Sequence, residues 1–129
     1  VHIYGEASAY VLGEAEVVAH DHAMVYNEQF NASVSLRDYS LGTIKAGRVD
    51  AHDWSVVRSS CMATLYDHAI CVAYGGMVKA LGYKSITANI DSKVYSFSQR
   101  NIKLYDNAAL YPLTDLPNDE ITHSNQSQG

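Results

Sequence analysis

Residues 54–81, WSVVRSSCMATLYDHAICVAYGGMVKAL, are apolar over most of their length, and the arrangement of the other segments depends on them. Asp53, just before this stretch, can cap a helix by accepting a hydrogen bond from an early backbone amide. Gly82 stands where a left-handed residue commonly ends a helix. The stretch therefore predicts one long helix. Because its apolar residues occupy every helical face, we expect a second covering layer: a dimer partner, the chain's own tail or a target.

Three features inside this predicted helix bear on membrane insertion, on its packing and on disulfide bonding. It is long enough to span a bilayer, but Asp67 and His68 would then lie mid-membrane at a cost of several kcal/mol, so direct membrane insertion is the less favoured alternative. Gly75 and Gly76 indicate a close backbone approach or a break into two helices. Cys61 and Cys71, ten residues apart in the numbering, would be separated by about 15 Å along the helix, so no disulfide is predicted between them.

The flanking segments predict β-strands. Phe30, Ala32, Val34 and Leu36 alternate with polar residues, which is typical of a half-buried antiparallel strand. The other predicted strands are a hairpin of residues 2–12 and 15–26, then 43–49, 85–90, 93–97 and 102–105. The predicted fold is α+β: a mainly antiparallel sheet of five to seven strands with one long apolar helix packed across it. Residues 1–111 form a single domain, residues 112–129 a loosely ordered tail, and no internal repeat is apparent.

Composition narrows the classes of function. The chain has 9 Lys and Arg against 14 Asp and Glu, with no basic run, which argues against a nucleic-acid partner. Charged residues make up only 18% while tyrosines number 10, a balance that favours a secreted protein or an assembly subunit over a cytosolic enzyme. Glycosylation acceptor patterns begin at Asn31 and Asn125, and the numbering starts at Val1 without a signal peptide. We therefore predict a secreted location.

The strongest indication of chemistry is the pair His20 and His22. On a strand, period two would place both imidazoles on one face, where they could chelate a divalent metal if a third ligand lay nearby. The simpler interpretation, two polar residues on a solvated strand face, is favoured. Asp50, His52 and Asp53 could similarly form a general base, but capping of the predicted helix explains them better. No catalytic cofactor is predicted.

Tyr4, Tyr10 and Tyr26 are the candidate binding residues, because tyrosine supplies contact area with a polar end and the predicted hairpin carries few charges around them. The predicted function is a small secreted non-enzymatic binding protein. It would act, as a toxin or effector does, on a cell surface or membrane-associated target through its sheet and apolar helix. In outline the chain is similar to small secreted killer proteins of the α/β-sandwich type. The alternatives are a small metal-dependent enzyme using His20 and His22, and a structural subunit of a homodimer or larger homo-oligomer.

Overall fold

The computed structural model describes residues 1–116, and every regular element before residue 113 is a β-strand. The strands are short, most of them four residues long, and a 3-10 helix, Leu113–Asp115, follows the last one. In chain order they are β1 (His2–Ile3), β2 (Ser8–Val11), β3 (Glu16–Ala19), β4 (Met24–Asn27), β5 (Ser33–Leu36), β6 (Leu41–Ile44), β7 (Arg48–Ala51), β8 (Val56–Ser59), β9 (Met62–Leu65), β10 (Ile70–Tyr74), β11 (Met77–Ala80), β12 (Ser85–Asn89), β13 (Lys93–Ser96), β14 (Ile102–Leu104) and β15 (Ala109–Pro112).

The strands wind into a β-solenoid with two sheets. The odd-numbered strands form the first sheet, in the order β1-β3-β5-β7-β9-β11-β13-β15. The even-numbered strands form the second sheet, β14-β12-β10-β8-β6-β4-β2. Every pairing joins a strand to its equivalent in the next coil and is parallel. The prediction of an α+β fold with an antiparallel sheet is therefore wrong, and so is the likeness to an α/β sandwich.

The predicted helix over 54–81 is also wrong, because this stretch holds the four strands β8 to β11. Gly76, with φ +77°, lies in the turn before β11, where an added Cβ would stand 2.4 Å from the Cys61 carbonyl oxygen. In these strands apolar residues occur at outward as well as inward positions. The same sequence, read as a helix, therefore shows apolar residues on every face. The inward residues, all buried, are Val57, Ser59, Ala63, Leu65, Cys71, Ala73, Val78 and Ala80.

Of the other predicted strands, some are wrong and some are confirmed. The hairpin of 2–12 and 15–26 is wrong, because β1 pairs with β3 and β2 with β4 while the chain crosses between the sheets. Strand 43–49 is interrupted by Gly47, whose φ of +85° places it in a turn. In contrast, the strands predicted over 85–90 and 93–97 are confirmed as β12 and β13. Isolated strands were thus recognisable from their alternation, whereas their partners were not.

The core is a narrow layer between the two sheets, where small residues face large ones. Gly42 shows how tight this layer is, since an added Cβ would lie 2.8 Å from Leu36 Cδ1. The largest fully buried side chains include Leu36, Ile44, Leu65 and Ile86. Ser40 and Ser55 are fully buried too, and their hydroxyl oxygens have no hydrogen-bond partner within residues 1–116. Apolar burial between the sheets is the main favourable contribution to folding.

Aspartates at the turns from the first to the second sheet connect successive coils. Asp21, Asp38, Asp53 and Asp67 have φ values between 57° and 59°, a left-handed conformation that aspartate tolerates better than most residues. Each carboxylate accepts a hydrogen bond, at 2.9–3.0 Å, from the backbone N–H of the equivalent residue one coil earlier. Asp53 is therefore a turn residue, and its predicted role as a helix cap is wrong. We call this row of turns, with the residues on either side of each aspartate, the Asp ridge.

The longest turn back to the first sheet follows β4 and is organised by Asn27, which is fully buried. Its Nδ2 donates to the Ala46 carbonyl at 2.9 Å and to the Gln29 carbonyl at 3.2 Å, and its Oδ1 accepts from the Gln29 amide at 2.8 Å. These bonds hold the turn so that Glu28 stays at the surface beside Tyr26.

Two further predictions concern the cysteines and the tail. Both cysteines are free: Cys61 is half-buried in the turn after β8, and Cys71 is buried on β10. Leu116, after the 3-10 helix, is buried, so this part of the predicted tail is packed against the solenoid. Residues 117–129, which include the acceptor pattern at Asn125, lie outside the described residues. Among residues 1–116 no helix is long and apolar enough to cross a membrane.

Candidate binding face on the second sheet

On six of the seven strands of the second sheet, β2 to β12, the outward residues form three columns, because in-register parallel strands stack equivalent positions about 4.8 Å apart. The seventh strand, β14, continues the sheet beyond β12 and places Lys103 in register with Thr87. The first column is Ser8, Met24, Leu41, Val56, Ile70 and Ser85. The second column is Tyr10, Tyr26, Thr43, Arg58, Val72 and Thr87. The third column is Leu12, Glu28, Lys45, Ser60, Tyr74 and Asn89, of which the first four directly follow the ends of β2, β4, β6 and β8. We call these three columns the binding face.

The part of the binding face formed by β2, β4 and β6 is apolar and accessible. Met24 is 48% exposed and Leu41 38% exposed, although both are large hydrophobic residues. They help to line an open hollow of about 320 Å³ together with Ser8, Ala9, Tyr10, Val25, Tyr26 and Thr43. Contiguous exposed apolar surface on a soluble protein commonly marks a site of interaction. An open hollow of this kind suits side chains presented by another surface better than an enclosed ligand.

Tyr10 and Tyr26 form a rigid pair at one end of the face. Their ring centres are 4.9 Å apart and their planes differ by 7°. The Tyr26 hydroxyl donates to a Glu28 carboxylate oxygen, and the Lys45 Nζ lies 5.6 Å from the centre of the Tyr26 ring. Hydrogen bonding to Glu28 raises the pKa of Tyr26, and hydrogen bonding to Tyr26 raises the pKa of Lys45. At neutral pH the phenol is therefore protonated and Lys45 charged.

Charge on the binding face is sparse and has a positive excess. The three columns contain one carboxylate, Glu28, and two cations, Lys45 and Arg58, and Lys103 of β14 lies next to the second column. Lys45 lies over the Tyr26 ring, so the exposed Arg58, near the centre of the second column, is the cation with the clearest access to a partner. A protein with a net charge of −5 thus presents a face with a small positive excess.

The three predicted binding tyrosines are divided by the fold. Tyr10 and Tyr26 come together on the binding face, as described above. Tyr4 lies at the Asp ridge instead, where its ring stacks on His20 with ring centres 4.5 Å apart. The predicted set is therefore not one surface, and Tyr4 takes no part in the binding face.

The predicted metal pair is also divided. His20 and His22 flank Asp21 in a turn rather than on a strand, so the period-two argument that placed them together does not apply. His20 Nε2 lies 2.9 Å from His2 Nδ1, whereas His22 stacks on Tyr39 at 5.5 Å. Residues 1–116 contain no group of three or more His, Cys, Asp and Glu residues placed to hold a metal ion. Metal binding by the pair stays a prediction.

The remaining rings of the Asp ridge stack from coil to coil. His52 lies on Tyr66 at 4.4 Å, Trp54 lies on His68 at 4.3 Å, and Lys84 Nζ stands 5.4 Å from the Trp54 ring centre. Burial, and next the nearby Arg37 cation, lower the pKa of His52. Aromatic stacking of this kind stabilises a fold by about 0.5–1.5 kcal/mol per pair. Trp54 nevertheless remains 42% exposed.

Sequence reasoning missed the first column of the binding face, since Met24, Leu41, Val56 and Ile70 become neighbours only once the coil register is known. The sequence does contain a repeat that marks the coils. The tripeptides His20-Asp21-His22, Arg37-Asp38-Tyr39, His52-Asp53-Trp54 and Tyr66-Asp67-His68 recur at intervals of 17, 15 and 14 residues. Aligning the chain on these aspartates would have revealed the repeat and placed the column.

Comparison of the chain with models of protein families, with curated proteins and with solved structures finds no match.

Proposed function

We propose that this chain is a non-enzymatic binding protein that engages a protein partner through the binding face. The observation that carries the proposal is the run of four exposed or half-exposed apolar side chains, Met24, Leu41, Val56 and Ile70, on consecutive coils. Each square ångström of apolar surface removed from water is worth about 25 cal/mol, so covering this run would favour association. Tyr10 and Tyr26 beside it are the residue type most typical of interface centres.

Two observations favour a protein over other partners. In the Tyr10–Tyr26 pair each ring covers one face of the other, which reduces the open ring surface on which sugars stack. With Arg58 and Lys45 as its cations, the binding face also lacks the dense positive charge that phosphate chains need. An apolar surface with a few polar groups at its border is what protein interfaces use.

Selection of displayed peptides tests this proposal. A peptide library is selected on the wild-type chain, and the selected peptides are measured against Leu41→Lys and against Thr64→Lys. Leu41 lies at the centre of the binding face, whereas Thr64 is an outward residue of the first sheet. We expect Leu41→Lys to weaken peptide binding by at least about tenfold, because it places a charge in the apolar contact, and Thr64→Lys to leave it unchanged.

Failure to select any peptide, or selection of peptides that bind both variants equally well, would contradict the proposal. Thermal melting of both variants confirms that each is folded. A secreted location, and action as a toxin or effector on a cell surface, stay predictions from composition alone.

A further inference from the structure

We infer that the partner of the binding face is a second copy of this chain, packed face to face about a two-fold axis. The axis runs parallel to the strands and passes between β6 and β8. This inference rests on the proposed function, since it requires that the face bind protein. It is carried by three independent properties of the columns: their polarity, the sizes of their side chains and the positions of their charges.

The polarity of the first column is the same in both directions. Over the six strands from β2 to β12 it is polar, four times apolar, then polar again, from Ser8 to Ser85. The edge strand β14 lies beyond β12, outside the overlap of the two copies. A two-fold axis between β6 and β8 places Leu41 opposite Val56 of the second copy and Met24 opposite Ile70. The two serines likewise face each other. Every apolar residue therefore meets an apolar one, which an isologous interface requires of its own surface.

The second column matches large side chains to small ones. The same axis places Tyr10 opposite Thr87 of the second copy and Tyr26 opposite Val72. Facing sheets pack about 10 Å apart, so the longest side chains fit best opposite short ones. The stacked tyrosines of each copy would thus fill the space left above the short side chains of the other.

The charges distinguish this axis from the other two-fold arrangement of facing sheets. Parallel to the strands, the axis places Arg58 opposite Thr43 of the second copy and Lys45 opposite Ser60. An axis along the solenoid would instead place the second column on itself and Arg58 directly against Arg58. Like charges directly opposite one another are destabilising, so the axis parallel to the strands is favoured.

The area of the face sets the strength of the dimer. Six strands about 4.8 Å apart and five residues of about 3.3 Å each give a face of about 475 Å². Two copies would then cover roughly 950 Å², which is below the 1,200–2,000 Å² of standard stable interfaces. We therefore expect reversible association at micromolar or higher concentration.

Substitution of Thr43 tests the geometry, because the two-fold brings it opposite Arg58 twice in each dimer. Thr43→Glu should tighten dimerisation about threefold to tenfold through two new ion pairs, and Thr43→Lys should weaken it by a similar factor. Thr64→Glu and Thr64→Lys are the matched controls on the first sheet. Sedimentation equilibrium over a concentration series measures all five proteins, and the double variant Thr43→Lys with Arg58→Glu should recover the tighter association.

A wild-type chain that stays monomeric to about 1 mM would overturn the inference, as would an effect of Thr43→Glu no different from that of Thr64→Glu. The peptide selection described above is independent of these results. If peptides are selected on the face while the chain stays monomeric, the proposed function stands and the dimer does not. If neither is found, both fall.

Discussion

Replacement of Asp38 tests the aspartate row that connects successive coils. The Asp38 carboxylate accepts a hydrogen bond from the Asp21 amide at 2.9 Å, while its own backbone has a φ of 57°. Its carbonyl also accepts the Trp54 amide at 2.9 Å, so Trp54 lies one coil away. Replacing Asp38 therefore removes a hydrogen bond between coils and also changes how well the residue tolerates the left-handed backbone conformation. Different substitutions separate these two effects.

The expected losses follow from these two contributions. A hydrogen bond to a charged acceptor is worth about 1.5–3 kcal/mol, and a left-handed conformation costs alanine about 1–2 kcal/mol. Because Asp38 is half-buried, we take the lower part of each range. Asp38→Ala should then lower the free energy of unfolding by about 3 kcal/mol, and Asp38→Gly by about 2, since glycine tolerates the conformation. Asp38→Asn keeps an acceptor and should lose less than about 1 kcal/mol.

Urea unfolding followed by Trp54 fluorescence measures these losses next to the site, since stability in a solenoid is a sum of contributions from neighbouring coils. Asp106→Ala is the matched control. Asp106 has a φ of 52°, but its carboxylate makes no hydrogen bond within residues 1–116, so its loss should be only about 1 kcal/mol. Equal losses for Asp38→Ala and Asp106→Ala, or a loss for Asp38→Asn as large as for Asp38→Ala, would refute the reasoning.

Three further predictions concern buried and half-buried groups. Ser55→Ala should raise the free energy of unfolding by about 1 kcal/mol, because the Ser55 hydroxyl is buried without a partner; a loss in urea unfolding would show that the hydroxyl is bonded. Burial lowers the pKa of folded His52 below that of the unfolded chain, so stability is complete above about pH 6.5 and falls as pH drops below it. His52→Phe keeps the ring and should lose less stability between pH 7.5 and 5.5 than the wild type, whereas an equal loss would exclude His52 as a cause. Burial raises the pKa of the Cys61 thiol to about 11 and that of Cys71 to about 12. At pH 8 a thiol reagent should therefore modify the folded protein slowly and both cysteines rapidly in urea, and rapid modification of the folded chain would contradict this burial.

The sequence alone indicated β-structure where the alternation was clean. Alternation in the predicted strand 85–90 placed Ile86, Ala88 and Ile90 on one face. Ile86 and Ala88 are buried on β12, whereas Ile90 is 54% exposed in the turn after it. Val34 and Leu36 are buried as expected, but Phe30, assigned to the same face, is 85% exposed because it lies in the turn before β5. Period two identifies a strand reliably but cannot show where a four-residue strand ends.

For the binding face, the number of tyrosines in the composition led to the prediction of tyrosine binding residues. Two of the three predicted residues, Tyr10 and Tyr26, do lie together. Their apolar neighbours could not be found in the same way. Met24 and Leu41 are 17 residues apart in the sequence, yet they pair directly in adjacent strands. That proximity depends on the coil length, which varies along the chain as the turns lengthen and shorten.

Local sequence therefore determined which residues point inward or outward where the alternation was clean, as in β5 and β12, because that alternation is a property of the extended backbone itself. It did not determine whether 54–81 is a helix or four strands, since outward residues that are also apolar remove the contrast on which periodicity depends. Only the tertiary structure decided this. Asp53 accepts no helical amide but bonds the Asp38 amide 15 residues earlier at 2.9 Å. Parallel pairing of every strand with its equivalent one coil away satisfies backbone groups that no single segment could satisfy alone.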